Sequence, residues 1–547
     1  MEEALLDIQG LTIALPAGTD RKYAVSGLSM TLRPNEVVCI IGESGSGKSM
    51  TARAVMGLLP KPHVRIASGK ILFKGRDLVA ADDAELRRIR GKEIAMIFQE
   101  PMTALNPVMK IGRQIGEVFH VHQGLTQKAA APRVKELLDA VKLPDPERIF
   151  HSYPHQLSGG QRQRAMIAMA LAMNPSILIA DEPTTALDVM TQAEILRLLK
   201  DIQEKYGTAI IFVTHDFGVV ADIADRVLVM QLGNLVESGT VDQVLEAPTH
   251  SYTQSLIKAI PKLTYREGIK EADQKPVILN VKHLHKAYFR SNGFLKKPTR
   301  FLAVNDVSFT VRRGETLGIV GESGSGKSTI VRCLTRLIAS DQGVVEIDGT
   351  DVQALSRREM RRFSRRIQMV FQDPYGSLNP HHTVGDLIAE GPIIHGTPRA
   401  AAHAKARELL DIVGLGAQAA GRYPHEFSGG QRQRVGLARA LALDPEVLIA
   451  DEPVSALDVS VQAQILKLLT ELRDQMGLAM VFVTHDLRVA SQVSDTILVM
   501  RYGEVVESGP GARIFSNPAH QYTRDLLAAM PGLRHGRLDA SMDAQRG

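Results

Sequence analysis

The stretch Gly42-Glu43-Ser44-Gly45-Ser46-Gly47-Lys48-Ser49 decides the reading, and it is written twice: it returns as Gly321-Glu322-Ser323-Gly324-Ser325-Gly326-Lys327-Ser328. Each copy fits the pattern G-x-x-x-x-G-K-[ST] and follows an apolar run, residues 37–41 and 317–320. Glycines let consecutive backbone N–H groups curl around phosphate oxygens, and a following helix turns its positive end toward the anion. Lys48 and Lys327 are then placed to bridge the β- and γ-phosphates of a nucleotide, with Ser49 and Ser328 as Mg²⁺ ligands.

Other blocks repeat in the same order. Ser158-Gly159-Gly160-Gln161-Arg162-Gln163-Arg164 returns as Ser428-Gly429-Gly430-Gln431-Arg432-Gln433-Arg434. Asp181-Glu182-Pro183 returns as Asp451-Glu452-Pro453, and Thr214-His215-Asp216 as Thr484-His485-Asp486. A repeat this long means two whole domains in tandem, not solenoid units. Residues 264–275 are polar and lack an apolar period, which reads as a linker. The expected organisation is a first domain over 1–262, a linker over 263–277, a second domain over 278–535 and a disordered tail over 536–547.

The apolar runs 177–180 and 210–213 lead into Asp181 and toward His215, and the runs 447–450 and 480–483 do the same in the second half. Continuous apolar runs without alternation predict strands buried on both faces of a parallel sheet. Ligands bind such sheets beyond the carboxyl ends of the strands, where all these motifs fall. Val134, Leu137, Leu138 and Val141, and likewise Ala406, Leu409, Leu410 and Val413, recur at helical spacing. They predict a small helical subdomain in each half, over residues 102–172 and 375–442.

An acidic residue at a strand end can hold Mg²⁺ through water, which suits Asp181 and Asp451. The next residues, Glu182 and Glu452, are placed to polarise an attacking water as general bases. His215 and His485, also just past strand ends, are expected to contact the γ-phosphate. Gln99 and Gln372 could ligate Mg²⁺ or orient water, but spacing alone does not make either functional. The Ser-Gly-Gly-Gln blocks lack a lysine. They suit either a second phosphate contact through backbone N–H groups and a serine hydroxyl, or simply a helix N-cap.

The bulk composition agrees with a soluble, multi-domain protein. A chain of 547 residues exceeds one hydrophobic core, and 44% apolar with 23% charged residues is ordinary for a globular protein. The absence of Trp argues against a stacking-based nucleic-acid binder. The net charge of +5 fits phosphate binding or an anionic membrane surface, and equally an unremarkable basic surface. Two cysteines, Cys39 and Cys333, build neither a zinc site nor a disulfide framework, so a reduced, cytoplasmic protein is expected. The acidic start is not a signal peptide, and no run is long and apolar enough to span a bilayer.

Phosphate loop, Gln, Ser-Gly-Gly-Gln, Asp-Glu, Asp188 or Asp458 in Ala-Leu-Asp, then His: this series resembles that of ATP-binding-cassette (ABC) ATPases, twice over, across essentially the whole chain. The resemblance implies an α/β fold of two tandem ABC domains, each a parallel-sheet core with an antiparallel β subdomain and a helical subdomain. It implies ATP and Mg²⁺ as cofactors, with Ser49, Gln99, Asp181, Ser328, Gln372 and Asp451 around the metal. It also implies a head-to-tail sandwich. One ATP would lie between the Lys48 loop and Ser428, Gly429, Gly430 and Gln431; the other between the Lys327 loop and Ser158, Gly159, Gly160 and Gln161.

The segments from Gln99 to Pro107 and from Gln372 to Pro380 look like the peptide-uptake branch of that family, as do the tails Pro248-Thr249-His250-Ser251-Tyr252-Thr253 and Pro518-Ala519-His520-Gln521-Tyr522-Thr523. The fused layout is similar to single-chain ATPases of dipeptide, glutathione and microcin C importers. Implied partners are two membrane-spanning permeases and an extracytoplasmic substrate-binding protein, with this chain peripheral on the cytoplasmic face. The competing class is a soluble tandem ATPase acting on ribosomes or DNA; it is disfavoured by the short linker and the lack of zinc-binding cysteines. Three departures stand out. No iron–sulfur cluster is expected from two cysteines. Tyr288 is the expected adenine-stacking residue of the second half, but its first-half counterpart is Leu15, with Tyr23 as a substitute. Both sites keep every motif, so both are expected to hydrolyse ATP.

Overall fold

Each apolar run that leads to a chemical motif is a strand. In the first half these are Val37–Ile41, Ile177–Asp181 and Ala209–Val213, and every residue of all three is buried. The second half repeats them as Thr316–Val320, Val447–Asp451 and Ala479–Val483, again wholly buried. The computed structural model describes residues 4–185, 187–263, 275–290, 299–455 and 457–532. These divide into two compact units: one runs to Ile260 and takes in Pro531 and Gly532, and the other is Pro261–Met530. The central part of the expected linker and the expected disordered tail lie outside the described residues.

In the first unit the six-stranded sheet has the order Asn234–Thr240, Arg226–Gln231, Val37–Ile41, Ala209–Val213, Ile177–Asp181, Ile94–Ile97. Its neighbours pair in parallel, except for the antiparallel edge strand Asn234–Thr240. Side chains alternate between faces along a strand. Cys39, Leu178, Ala180, Ile210 and Phe212 therefore enter one core with the helices, while Val38, Ile40, Ile177, Ile179 and Ile211 enter another. Both faces being covered, the sequence shows no alternation although the geometry has it.

The second of those cores is closed by a four-stranded antiparallel sheet, ordered Tyr23–Leu32, Leu6–Ala14, Arg65–Phe73, Arg76–Asp77, and by the helix Lys48–Val55. The other face carries the helical subdomain, from Pro101–Ala104 through Ile111–Gln123 and Gln127–Ala140 to Gly159–Leu171. Val134 and Leu138 are fully buried there, as their spacing predicts. The second unit has the same two sheets, in the orders Thr299–Arg312, Val277–Arg290, Gln342–Ile347, Thr350–Asp351 and Ile367–Val370, Val447–Asp451, Ala479–Val483, Thr316–Val320, Thr496–Arg501, Glu504–Pro510. Its helical subdomain runs from Pro374–Ser377 to Gly429–Leu441. Among the described residues no helix is long and apolar enough to cross a membrane.

Candidate active sites at the carboxyl ends of the parallel strands

The phosphate loop joins the strand Val37–Ile41 to the helix Lys48–Val55. Its glycines are required by contact as well as by dihedral angle. Gly42 has φ of 146° and a Cβ there would lie 2.1 Å from the carbonyl oxygen of Met230; Gly47, at φ 106°, would put one 2.6 Å from the carbonyl of Ala24. The Lys48 ammonium folds back over the loop and donates to the carbonyls of Gly42 (2.7 Å) and Glu43 (2.9 Å). Lys327 does the same to Gly321 (2.7 Å) and Glu322 (2.8 Å). Both lysines are buried.

The strand ends meet at this loop. The Ser49 hydroxyl donates to Asp181 Oδ1 at 2.8 Å, and Ser328 Oγ to Asp451 Oδ1 at 3.4 Å. Paired hydroxyl and carboxylate oxygens are a donor set suited to a hard cation such as Mg²⁺. Burial, reinforced by the charge of the neighbouring glutamate, raises both aspartates, Asp451 to about 6. Ser325 Oγ, inside the second loop, is buried with no hydrogen-bond partner, as expected of a group that meets an anion.

Glu182 and Glu452 sit in the left-handed backbone region, at φ 47° and 46°. That conformation is uncommon for a non-glycine residue, and the proline that follows each glutamate normally favours extended backbone. Such strain costs on the order of 1–3 kcal/mol and concentrates at functional sites. It aims the carboxylate at a polar cluster. Gln99 Nε2 donates to Glu182 Oε2 at 2.8 Å, Thr185 Oγ donates to the same oxygen at 3.0 Å, and His215 Nδ1 lies 3.3 Å from Oε1. In the second half Gln372 Nε2 is 2.9 Å and His485 Nδ1 3.2 Å from Glu452 Oε2. Burial alone would raise both glutamates, but the histidine, the lysine and a hydroxyl together more than offset it, so each stays ionised below the usual carboxylate range. Burial pulls His485 down and Glu452 outweighs it, leaving the imidazole above its ordinary value.

Each unit thus brings together its own Lys, Ser, Asp, Glu, Gln and His. The Gln amides lie against the glutamates, a placement that spacing alone did not indicate. Thr185 carried no signal in the sequence, and its role emerges only from the fold. In each unit the Ser-Gly-Gly-Gln block sits on a helix start. Ser158 Oγ accepts from Gln161 N (3.3 Å) and Gln161 Oε1 accepts from Ser158 N (3.1 Å), a reciprocal cap of the helix Gly159–Leu171. Ser428 and Gln431 form the same cap at 3.4 and 3.0 Å. A Cβ at Gly160 would fall 2.5 Å from Thr191 Cγ2, so a side chain there requires Thr191 to shift. Ser158, Gly160 and Gln161 line an open cleft of about 440 Å³ with Lys142, Arg164 and Arg197. Tyr288 lies exposed on the strand Val277–Arg290, and Leu15 is half-buried against the core beneath its sheet.

The family model for "ABC transporter" matches residues 25–185 and again 304–455, which take in both clusters except His215 and His485 and together exceed half of the chain. The chain belongs to the ABC transporter family. A second model, "Oligopeptide/dipeptide transporter, C-terminal region", matches residues 236–286 and 506–546 of this tandem ABC ATPase. The glutathione import ATP-binding protein GsiA of Salmonella typhimurium is 47% identical over 96% of this chain and 89% of its own length. The peptidoglycan transport ATP-binding protein YejF of Agrobacterium fabrum is 48% identical over 96% of both chains. Among solved structures, the ATP-binding cassette MJ0796 in a dimeric post-hydrolysis state bound to ADP and Pi is 30% identical, with a TM-score of 0.39, covering 43% of this chain and 98% of that one. On the family match and the two curated relatives, the chain is an ATP-hydrolysing enzyme of the ABC type, fused from two halves.

Proposed function

We propose that this ATPase is the motor subunit of an importer for small peptides or peptide-like compounds, docked on the cytoplasmic face of the inner membrane. The observation that carries the reading is the second family match, which falls in both halves just after the catalytic motifs and covers the Pro-x-His-x-Tyr-Thr tails. The names of the two curated relatives, import of glutathione and transport of peptidoglycan, support the same cargo class. Two permeases and an extracytoplasmic binding protein complete the machine.

Within it, Asp181 with Ser49, and Asp451 with Ser328, would hold Mg²⁺, which supplies charge neutralisation on the phosphates. Glu182 and Glu452 accept the proton of the attacking water, and His215 and His485 hold those carboxylates in place while offering their far nitrogens to the γ-phosphate. The halves pair head to tail over residues 1–262 and 278–535, so that each Ser-Gly-Gly-Gln helix start completes the other half's site. Recovery of tagged protein in mild detergent tests the assignment: two multi-span membrane proteins and a binding protein should accompany it. Ribosomal or DNA-repair proteins in their place would overturn it. Ser428→Arg tests the pairing. It should abolish 8-azido-ATP trapping at the Lys48 site, and unaffected trapping would exclude composite sites.

A further inference from the structure

The tail motif that marks each half has a physical logic of its own, and it ends at the phosphate loop. Glu237, on the edge strand Asn234–Thr240, accepts hydrogen bonds from Thr249 N (2.7 Å), Thr249 Oγ (2.8 Å) and His250 N (3.3 Å). Glu507 grips Ala519 N (2.8 Å) and His520 N (3.0 Å) in the same way. The histidine then caps the next helix: His250 Nδ1 accepts from Tyr252 N at 3.2 Å, and His520 Nδ1 from Tyr522 N at 3.1 Å. Those helices, Ser251–Ala259 and Gln521–Ala528, therefore start at a fixed place and fix the direction of their first tyrosine.

Both tyrosines are buried, and a buried phenol needs a polar partner. Each finds it in the loop. Glu43 N donates to Tyr252 Oη at 3.1 Å across 209 residues of chain, and Glu322 N donates to Tyr522 Oη at 3.1 Å across 200. Tyr252 Oη also donates to Glu43 Oε2 at 3.3 Å. The amide that meets the phenol belongs to the Gly42–Glu43 peptide, whose carbonyl is the one Lys48 grips at 2.7 Å. One peptide plane is thus held at its N–H end by the tail and at its carbonyl end by the catalytic lysine. The Gly321–Glu322 peptide is held identically by Tyr522 and Lys327. Glycine at position 42 or 321 leaves that plane little intrinsic preference, so its orientation depends on these external bonds. A rotated plane would release the lysine and turn a carbonyl dipole toward the phosphate path.

We propose that Tyr252 and Tyr522 are positioning residues for ATP binding, through which the C-terminal tail of each half sets the orientation of the phosphate loop. The inference rests on the ATPase activity alone and is indifferent to cargo. It is tested on the full chain carrying Tyr252→Phe and Tyr522→Phe together, which removes two hydroxyls and leaves both rings. Each substitution removes the bond from the loop amide, and Tyr252→Phe also the one donated to Glu43; loss of the amide bond alone corresponds to about a three- to tenfold change in an equilibrium constant. The expected result is a rise of that size in Kd and KM for ATP, with kcat within about twofold of the parent. Amide hydrogen exchange in the peptides spanning Glu43 and Glu322 should rise while exchange elsewhere does not. Unchanged Kd and KM with unchanged exchange would overturn the proposal, as would a fall in kcat at constant KM. Should the double variant fail to fold, Tyr522→Phe alone is measured by equilibrium binding: one of two binding phases must weaken, and neither weakening overturns the proposal.

Discussion

Replacing Glu182 and Glu452 together by Gln should stop turnover without stopping ATP binding. The magnitude follows from what each carboxylate touches. Glu182 receives Gln99 and Thr185 on one oxygen and His215 on the other, at 2.8, 3.0 and 3.3 Å. It is held in its ionised form by those contacts, ready to take a proton. A glutamine keeps the shape and loses the proton acceptor, so the chemical step forfeits a general-base contribution of about 10²–10⁴-fold. The amide also turns one N–H pair toward existing donors, and a frustrated buried donor costs about 1–3 kcal/mol. That second term acts on local stability and is read separately from turnover. ATP affinity should hold or tighten, because a negative charge near the triphosphate is removed. The assay is phosphate release at saturating ATP beside equilibrium binding of ATP to the same preparation. Turnover within about tenfold of the parent, with binding intact, would refute the general-base assignment.

Three further expectations follow from the geometry. Gly42→Ala sets a methyl 2.1 Å from the Met230 carbonyl at a φ of 146°; ATP-binding stoichiometry should fall by half, and full stoichiometry would show that the loop tolerates the side chain. Cys39 and Cys333 are fully buried, and burial raises both thiols, Cys333 to about 11; neither should react with N-ethylmaleimide at pH 8 until denaturant is added, and rapid native labelling would contradict the packing. Glu446, bridging Arg366 and Arg313, lies below the ordinary carboxylate value through its hydrogen bond to Arg366, with burial opposing. A carboxylate depressed on folding contributes stability above its unfolded pKa and loses it as pH falls through the folded one. Glu446→Gln should therefore lower the thermal midpoint at pH 7 by the equivalent of about 1 kcal/mol, discounted for partial exposure, and the effect should fade in acid as Glu446 protonates in the folded state; a difference that persists in acid would point to packing instead.

The parallel core was legible because the same residues satisfy two demands at once. A strand such as Ile177–Asp181 must be apolar to lie between two layers, and must end on a polar residue to meet the ligand. The antiparallel sheet was not readable from alternation and entered through family resemblance. Leu6–Ala14 pairs with Tyr23–Leu32 through three register shifts, and each shift resets which face a residue takes. Of the two readings left open for Ser-Gly-Gly-Gln, the helix N-cap is seen in both halves, and the reciprocal bonds at Ser158 and Ser428 extend it to a capping box. The place of Gln99 was not, since its partner Glu182 is 83 residues away. The left-handed backbone of Glu182 is likewise invisible in Asp-Glu-Pro, which by local preference alone would run extended.

The capping box at Ser158 bears on what a ligand of that helix start would have to organise. Its two bonds are made entirely within one turn of chain, between Ser158 and Gln161, and need nothing from elsewhere. A helix start finished in this way is ordered by its own chain. An anion that docked there would meet N–H groups already ordered by the chain itself, so the entropy of ordering them would not be lost again on binding.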